Sequence, residues 1–299
     1  MKNETTRMYQ ITETSSFMMA FVIVTKNNNA IVIDGGREED MPLLKQYIGG
    51  RQIAALILPH AHDDHIGGMV SEYQKNKWAD FDIEKIYYNF PMEFLAMPEY
   101  ADDGDIQEIL PTFAALLPEF EHLTYVPKQG ESIEIEEVKI DFLFTYRNTI
   151  RKNIMNNSSL VFKLTTPNTS VMFLGDIGAE AGDILYEESR DLLKSEMVQM
   201  AHHGAFCCGM EVLSAIRPEV CLWCCREANY NGLKIGTRDV EVFRRNGHMP
   251  PRMYPASVTR EWMDILGAKK HYVTKDGTNE ILLCPPQRRK GYLACGIAV

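Results

Sequence analysis

The sequence predicts an α/β protein built as a four-layer αββα sandwich, with two mixed sheets packed face to face and helices outside. Three observations carry this. Short aliphatic runs bounded by turn residues recur along the whole chain, and amphipathic stretches of helical period stand between them. The second half then repeats the strand-rich and helix-rich rhythm of the first, an order that suits sheets covered by helices. At 299 residues with 45% hydrophobic and 24% charged residues, the composition is that of a soluble globular chain able to bury a large core. No repeat at solenoid period and no linker-like stretch divides residues 1–299, which read as one domain.

In chain order, strands over 17–25 and 30–34 flank the turn Asn27-Asn28-Asn29 and lead to Asp34-Gly35-Gly36. A helix from Glu38 to Ile48 places Leu43, Leu44 and Ile48 on one face, and Gly49-Gly50 stops it. The run Ala54-Ala55-Leu56-Ile57-Leu58 is a buried strand, followed by a polar loop, a helix from about Gly68 to Lys77 and a strand from Ile83 to Asn89. Residues 91–121 read as a helical insertion, with Met92, Phe94, Met97 and Tyr100 ahead of a helix from Asp105 to Leu117. It serves either as packed surface helices or as a wall over the site. Alternating Ile133, Ile135, Val138, Ile140, Phe142 and Phe144 predict antiparallel strands. Strands near 160–165, 171–175, 197–201, 219–224, 271–274 and 279–284 follow, with helices near 179–194 and 257–266. Glu227 to Met253 is irregular, and its Arg244, Arg245 and His248 are solvated loop residues or substrate contacts.

The loop after the third strand is His60-Ala61-His62-Asp63-Asp64-His65-Ile66-Gly67-Gly68. Strand geometry lets His60 and His62 face one point, while Asp64 and His65 on the turn can reach a second. Five of the eight histidines lie in two clusters, this loop and Met200-Ala201-His202-His203-Gly204. Between them Val171-Met172-Phe173-Leu174-Gly175-Asp176 ends an apolar strand on a carboxylate. Three strand ends thus deliver imidazole and carboxylate groups, the donors that divalent metals take. Adjacent residues cannot share one direction, so His203, beside Gly204, is expected as the ligand and His202 as a neighbour able to donate a hydrogen bond or a proton to substrate.

This pattern resembles the metallo-beta-lactamase superfamily, whose hallmark H-x-H-x-D-H is here His60, His62, Asp64 and His65. Asp34 at a strand end, the Gly175-Asp176 pair, His202-His203-Gly204, and Tyr272-Val273-Thr274 with Asp276-Gly277 are similar to its other markers, in order. The resemblance implies that His60 and His62 bind one metal, that Asp64, His65 and His203 bind the other, and that Asp176 bridges. The two divalent ions would be zinc first, with manganese or iron as alternatives, and would hold a shared water as the hydroxide nucleophile oriented by Asp64. Asp34 is expected to be structural, accepting backbone hydrogen bonds from the ligand loop. Most members carry a further histidine ahead of the bridging aspartate. This chain has Asn156-Asn157-Ser158-Ser159 there, similar to the competence-type nuclease and phosphorylcholine esterase branch, and His122 is too far upstream to replace it. Asn157 and Ser158 are either turn residues before a strand or substrate contacts.

The implied function is a binuclear metal hydrolase of a phosphodiester or phosphorylated small molecule. Ester, thioester or lactone hydrolysis is the alternative on the same site. A redox protein on this scaffold resembles H-x-E-x-D, and His62 stands where its Glu would be. A metal-binding module without catalysis is disfavoured by the nearly complete ligand set.

The formal charge of −10 argues against duplex nucleic acid and leaves a small anionic substrate, with charge locally offset by metals. No stretch has the length of a membrane span. Phe17–Val24 lacks a small-residue cleavage site and reads as a strand, so a cytoplasmic location is expected. Seven cysteines, partly in adjacent pairs, are unlike a disulfide framework. Cys221, Cys224 and Cys225 with Cys207 or Cys208 could hold a structural zinc, but small apolar fillers are the better expectation, with Cys208 bordering the site. Cys284 and Cys295 complete the set. No feature selects an oligomeric state.

Overall fold

Alternation along the strands sorts the apolar side chains into three layers. The computed structural model describes residues 5–14, 17–96, 109–150, 152–231 and 254–283. Its first sheet contains β1 (Arg7–Gln10), β2 (Phe21–Val24), β3 (Ala30–Ile33), β4 (Gln52–Leu58), β5 (Asp82–Ile83), β6 (Ile86–Tyr88), β7 (Thr124–Tyr125) and β15 (Asn279–Leu282). The order is β15-β1-β2-β3-β4-β6-β7, with β5 paired to β4. The second sheet contains β8 (Ser132–Ile135), β9 (Val138–Phe144), β10 (Val161–Thr165), β11 (Ser170–Phe173), β12 (Met197–Gln199), β13 (Val220–Trp223) and β14 (Lys270–Val273). Its order is β14-β13-β12-β11-β10-β9-β8.

The two sheets are built alike. In the first, pairings from β15 to β3 are antiparallel and those from β3 through β4 and β6 to β7 are parallel. In the second, β8 to β11 are antiparallel and β11 to β14 parallel. Phe21, Ile23, Ile31, Ile33 and Ile57 meet Phe142, Phe162 and Phe173 between the sheets. The alternate residues Val22, Val24, Leu56 and Leu58 face outward under α1 (Met41–Ile48) and α2 (Gly68–Asn76). On the other side Met172, Val198, Cys221 and Trp223 lie under α5 (Ala179–Ser189), α6 (Met210–Ile216) and α8 (Ala256–Ile265), with the one-turn helices α4 (Ile154–Asn157) and α7 (Glu227–Tyr230) in the connections after β9 and β13. A period of two in every strand therefore produces four layers.

The differences from expectation are local. β1, at Arg-Met-Tyr-Gln, is too short and mixed to show a period, and its pairing with β15 and β2 makes it a strand. The insertion helix α3 spans Leu110–Phe120, and Phe94, Phe113 and Phe120 bury in the outer layer of the first sheet. The described part of the insertion is thus a packed surface helix. Met97, Tyr100 and Asp105 lie outside the described residues, as do Arg244, Arg245, His248, Cys284 and Cys295. His122 is exposed on the turn after α3. The described cysteines, Cys207, Cys208, Cys221, Cys224 and Cys225, are free and buried. Burial pushes the thiols of Cys221 and Cys225 up to about 12, as suits apolar fillers. Cys208 packs in the helix layer against Gly182 of α5.

Candidate metal centre

The parallel strands of both sheets end on the same polar residues that the sequence singled out. β3 runs into Asp34, β4 into His60, β11 into Asp176 and β12 into His202 and His203. Open α/β sheets place their sites beyond the carboxyl ends of such strands, where loop backbone replaces the ladder.

After β4 the chain stays extended to His62 and then closes one wide helical turn, Asp63–Gly67, which continues into α2. The His62 carbonyl accepts the N–H groups of His65 and Ile66 at 3.1 and 3.0 Å. Arg37 ties this turn down, pairing with Asp63 and donating from Nε to the Phe17 carbonyl at 2.9 Å. His60 and His65 are fully buried, and Asp176 is 2% exposed. Asp176 Oδ2 lies 3.3 Å from His65 Nε2, 3.6 Å from His203 Nε2 and 4.0 Å from His60 Nε2. His203 Nε2 is also 3.1 Å from Asp64 Oδ2.

Two groups of donors result. His60, His65 and Asp176 offer ligand atoms within 4.8 Å of one another, and so do Asp64, His65 and His203. Asp64, His65 and His203 gather as the sequence leads one to expect, with Asp176 beside them. His62 stands next to His60, Nδ1 to Nε2 at 3.2 Å, beside the first of these groups.

Backbone and side chains behind these donors hold the rings. Asp34 Oδ1 lies 2.8 Å from His65 Nδ1, so the carboxylate orients that ring, where hydrogen bonds from loop backbone were expected. The loop meets its neighbour instead through Gly35 N–H, which donates to the His65 carbonyl at 2.5 Å. His203 Nδ1 donates to the Cys224 carbonyl at 2.7 Å, which leaves Nε2 facing the carboxylates. His202, His203 and Gly204 all have positive φ, at 50°, 56° and 84°. That left-handed turn, where a plain strand end was expected, separates the two imidazoles. His202 is half-buried against Phe206, and its Nδ1 has no hydrogen-bond partner.

Asn157 and Ser158 do not join the donors. Both are buried; Asn157 Oδ1 accepts Gly178 N–H at 2.8 Å, and its Nδ2 donates to the Lys152 carbonyl at 2.9 Å. Ser158 Oγ donates to the Met155 carbonyl at 2.6 Å. They hold the fold, as turn residues do. No sequence motif marks Gln199, whose carboxamide binds the Gly175 turn, or the Cys224 carbonyl. A glutamine within the apolar run Met197-Val198-Gln199-Met200 was the available signal.

Burial dominates the electrostatics, and neighbouring charges decide its outcome. Burial drives His60 well below the ordinary imidazole value, and His65 beside it adds to this. Burial likewise holds His202 down to about 4, against the pull of Asp176. Asp176 sits well below the usual carboxylate range: burial opposes this, but His65 and His203 outweigh it. Asp64 is lowered in the same way, by His65 and His203 against burial. For His65 burial is outweighed by Asp176, Asp34 and Asp64, which raise it well above its ordinary value. Burial raises Asp34 to about 6.

Anionic Asp64 and Asp176 and a neutral His60 are the states in which these groups offer lone pairs to a cation. His65 Nε2, which faces Asp176, and Asp176 Oδ1 are sealed from solvent without hydrogen-bond partners, a costly arrangement that a bound cation would relieve. The donor set fits divalent metal ions.

The metallo-beta-lactamase superfamily profile matches residues 19–206, more than half of the chain, and includes both histidine clusters. The chain belongs to that superfamily. No curated protein matches it. Among solved structures, the metallo-beta-lactamase fold protein YhfI from Bacillus subtilis is similar at 13% identity and a TM-score of 0.52, over 92% of this chain and 99% of that one. A variant of the β-hydroxylase CmlA is similar at 10% identity and a TM-score of 0.51, over 94% of this chain and 54% of that one. At such identities the likeness is one of fold alone. Members of this metallo-beta-lactamase superfamily are mostly metal-dependent hydrolases, and the His and Asp groups of this chain are suited to metals.

Proposed function

We propose that this chain is a hydrolase with two divalent ions, acting on a phosphodiester or a phosphorylated small molecule. One observation carries the reading: Asp176 Oδ2 lies within 4.0 Å of three histidines drawn from two turns, with Asp64 3.1 Å from one of them. His60 and His62 would hold one ion, Asp64, His65 and His203 the other, and Asp176 would touch both. Nitrogen and oxygen donors favour zinc, with manganese or iron as alternatives. Bound ions would supply Lewis acidity, bringing the ionisation of water towards neutral pH and offsetting charge that develops on substrate.

The chain's own residues do the rest. Asp34 and the Cys224 carbonyl fix which nitrogen His65 and His203 present. His202, held neutral near pH 7 beside Asp176, is suited to donating a hydrogen bond to substrate and less to delivering a proton. The preference for phosphoesters rests on Asn156–Ser159 and His202-His203-Gly204, which resemble phosphodiester-cleaving relatives. The formal charge of −10 favours a small anion over a polyanion.

A panel of chromogenic phosphodiesters, phosphomonoesters, esters, thioesters, lactones and a β-lactam, assayed with zinc or manganese, tests this. Fastest turnover is expected on a phosphodiester, lost on chelation and restored by metal. A lactone or thioester turned over far faster than every phosphoester would overturn the substrate class.

A further inference from the structure

We propose that Ser159 and Gln199 are positioning residues for Asp176, and through it for both metal ions; the inference rests on the metal-centre reading above. Gln199 is 1% exposed, in an otherwise apolar strand, and a buried amide is tolerated only when its polar groups are bonded. Its Oε1 accepts the N–H groups of Leu174 and Gly175, both at 2.8 Å, and its Nε2 donates to the carbonyls of Gly175 at 3.1 Å and Met200 at 2.8 Å. All these bonds go to the backbone of the turn that carries Asp176 and to the start of the turn that carries His203. The His202 N–H adds a link, donating to the Gly175 carbonyl at 3.1 Å.

Ser159 closes the other side. Its Oγ accepts the Asp176 N–H at 3.0 Å, and the hydroxyl is fully buried. Gly175 has φ +54°, and a Cβ there would come within 2.7 Å of Ser159, so the turn and the serine are fitted to each other. Asn157 binds Gly178 N–H two residues beyond the aspartate. The segment Asn156–Ser159 stands where related chains carry a further histidine. In this chain it grips the backbone of the aspartate, and Gln199 locks the same turn to the second histidine cluster. A carboxylate that must serve two ions tolerates little displacement, so removing a grip is expected to be felt at both.

The test uses the full chain, stripped of metal and reloaded with Co²⁺ or Zn²⁺, comparing wild type with Ser159→Ala, Gln199→Glu and Gln199→Met. Gln199→Glu keeps acceptors for Leu174 and Gly175 but turns an oxygen towards the carbonyls of Gly175 and Met200. Expected are metal affinities roughly 10- to 100-fold weaker in chelator competition, as for partners lying behind a ligand. The visible spectrum of the Co²⁺ forms should change, with far-ultraviolet dichroism and cooperative melting of the metal-free proteins retained. Wild-type affinity and an unchanged Co²⁺ spectrum in folded Ser159→Ala and Gln199→Glu would overturn the assignment. If the Gln199 variants do not fold, Ser159→Ala, which deletes one oxygen, decides on the same two readouts. Wild type that takes up no Co²⁺ would instead refute the metal centre itself, a separate outcome.

Discussion

His202 and His203 are adjacent in the chain and differ in almost everything around them. His203 is 6% exposed, anchored through Nδ1 on a carbonyl and aimed at two carboxylates, whereas His202 is half-buried beside Phe206. His203→Ala is expected to lower metal content, while His202→Ala keeps the metals and loses mainly kcat, by about 10- to 100-fold, as for one hydrogen bond to a charged substrate group. Metal analysis with steady-state kinetics separates them; loss of metal from His202→Ala with full loading of His203→Ala would reverse the roles. Asp34 acts through its contact with His65. Removing it leaves His65 Nδ1 without its partner, so Asp34→Ala should weaken metal binding about 10- to 100-fold, read by chelator titration. Unchanged affinity would show that packing alone holds the ring.

At the scale of elements, the centre is assembled from turns, and glycine permits the tightest of them. Gly204 has φ +84°, and a Cβ on it would come within 2.4 Å of the Trp223 ring. Thr259 of α8 donates to its carbonyl at 2.5 Å, which pins the turn between two elements. Gly204→Ala combines left-handed backbone strain with overpacking, and about 2–4 kcal/mol of lost stability is expected in urea unfolding. A wild-type midpoint would mean that the turn can shift freely, against the packing described. The substitution should also drag His203 from the carboxylates, so metal content is expected to fall together with stability.

For the whole molecule, buried charge is expected to couple stability to metal. Buried His60, His65 and Asp176 are brought together with polar atoms that lack hydrogen-bond partners, so bound cations are expected to stabilise the fold. An ion at a hundred times its dissociation constant adds about 2.7 kcal/mol. Loaded protein is expected to contain close to two equivalents by elemental analysis, and chelation should lower the melting temperature by several degrees. One equivalent or none, or an unchanged melt, would refute the paired-ion reading. Among the described residues no helix is long and apolar enough to cross a membrane. The formal charge of −10 predicts weak binding to duplex DNA at physiological salt, and tight, salt-sensitive retention would contradict it.

The amino-acid order by itself determined the layers and the donors. A period of two in Val22, Val24, Leu56 and Leu58 against Phe21, Ile23 and Ile57 is a local property, written in neighbouring residues, and it survives folding unchanged. The same holds for the density of imidazole and carboxylate at His60–His65, Asp176 and His202–His203. What only the tertiary structure decided is how those donors are held. Asp34 and His65 are 31 residues apart, His203 and Cys224 are 21 apart, and Gln199 reaches the Gly175 turn across 24. Contacts of that span depend on strand order and register, which no short pattern encodes. Asn157 and Ser158 show the same limit from the other side: as isolated polar residues they suit a site or a turn equally, and burial against backbone groups made them the latter.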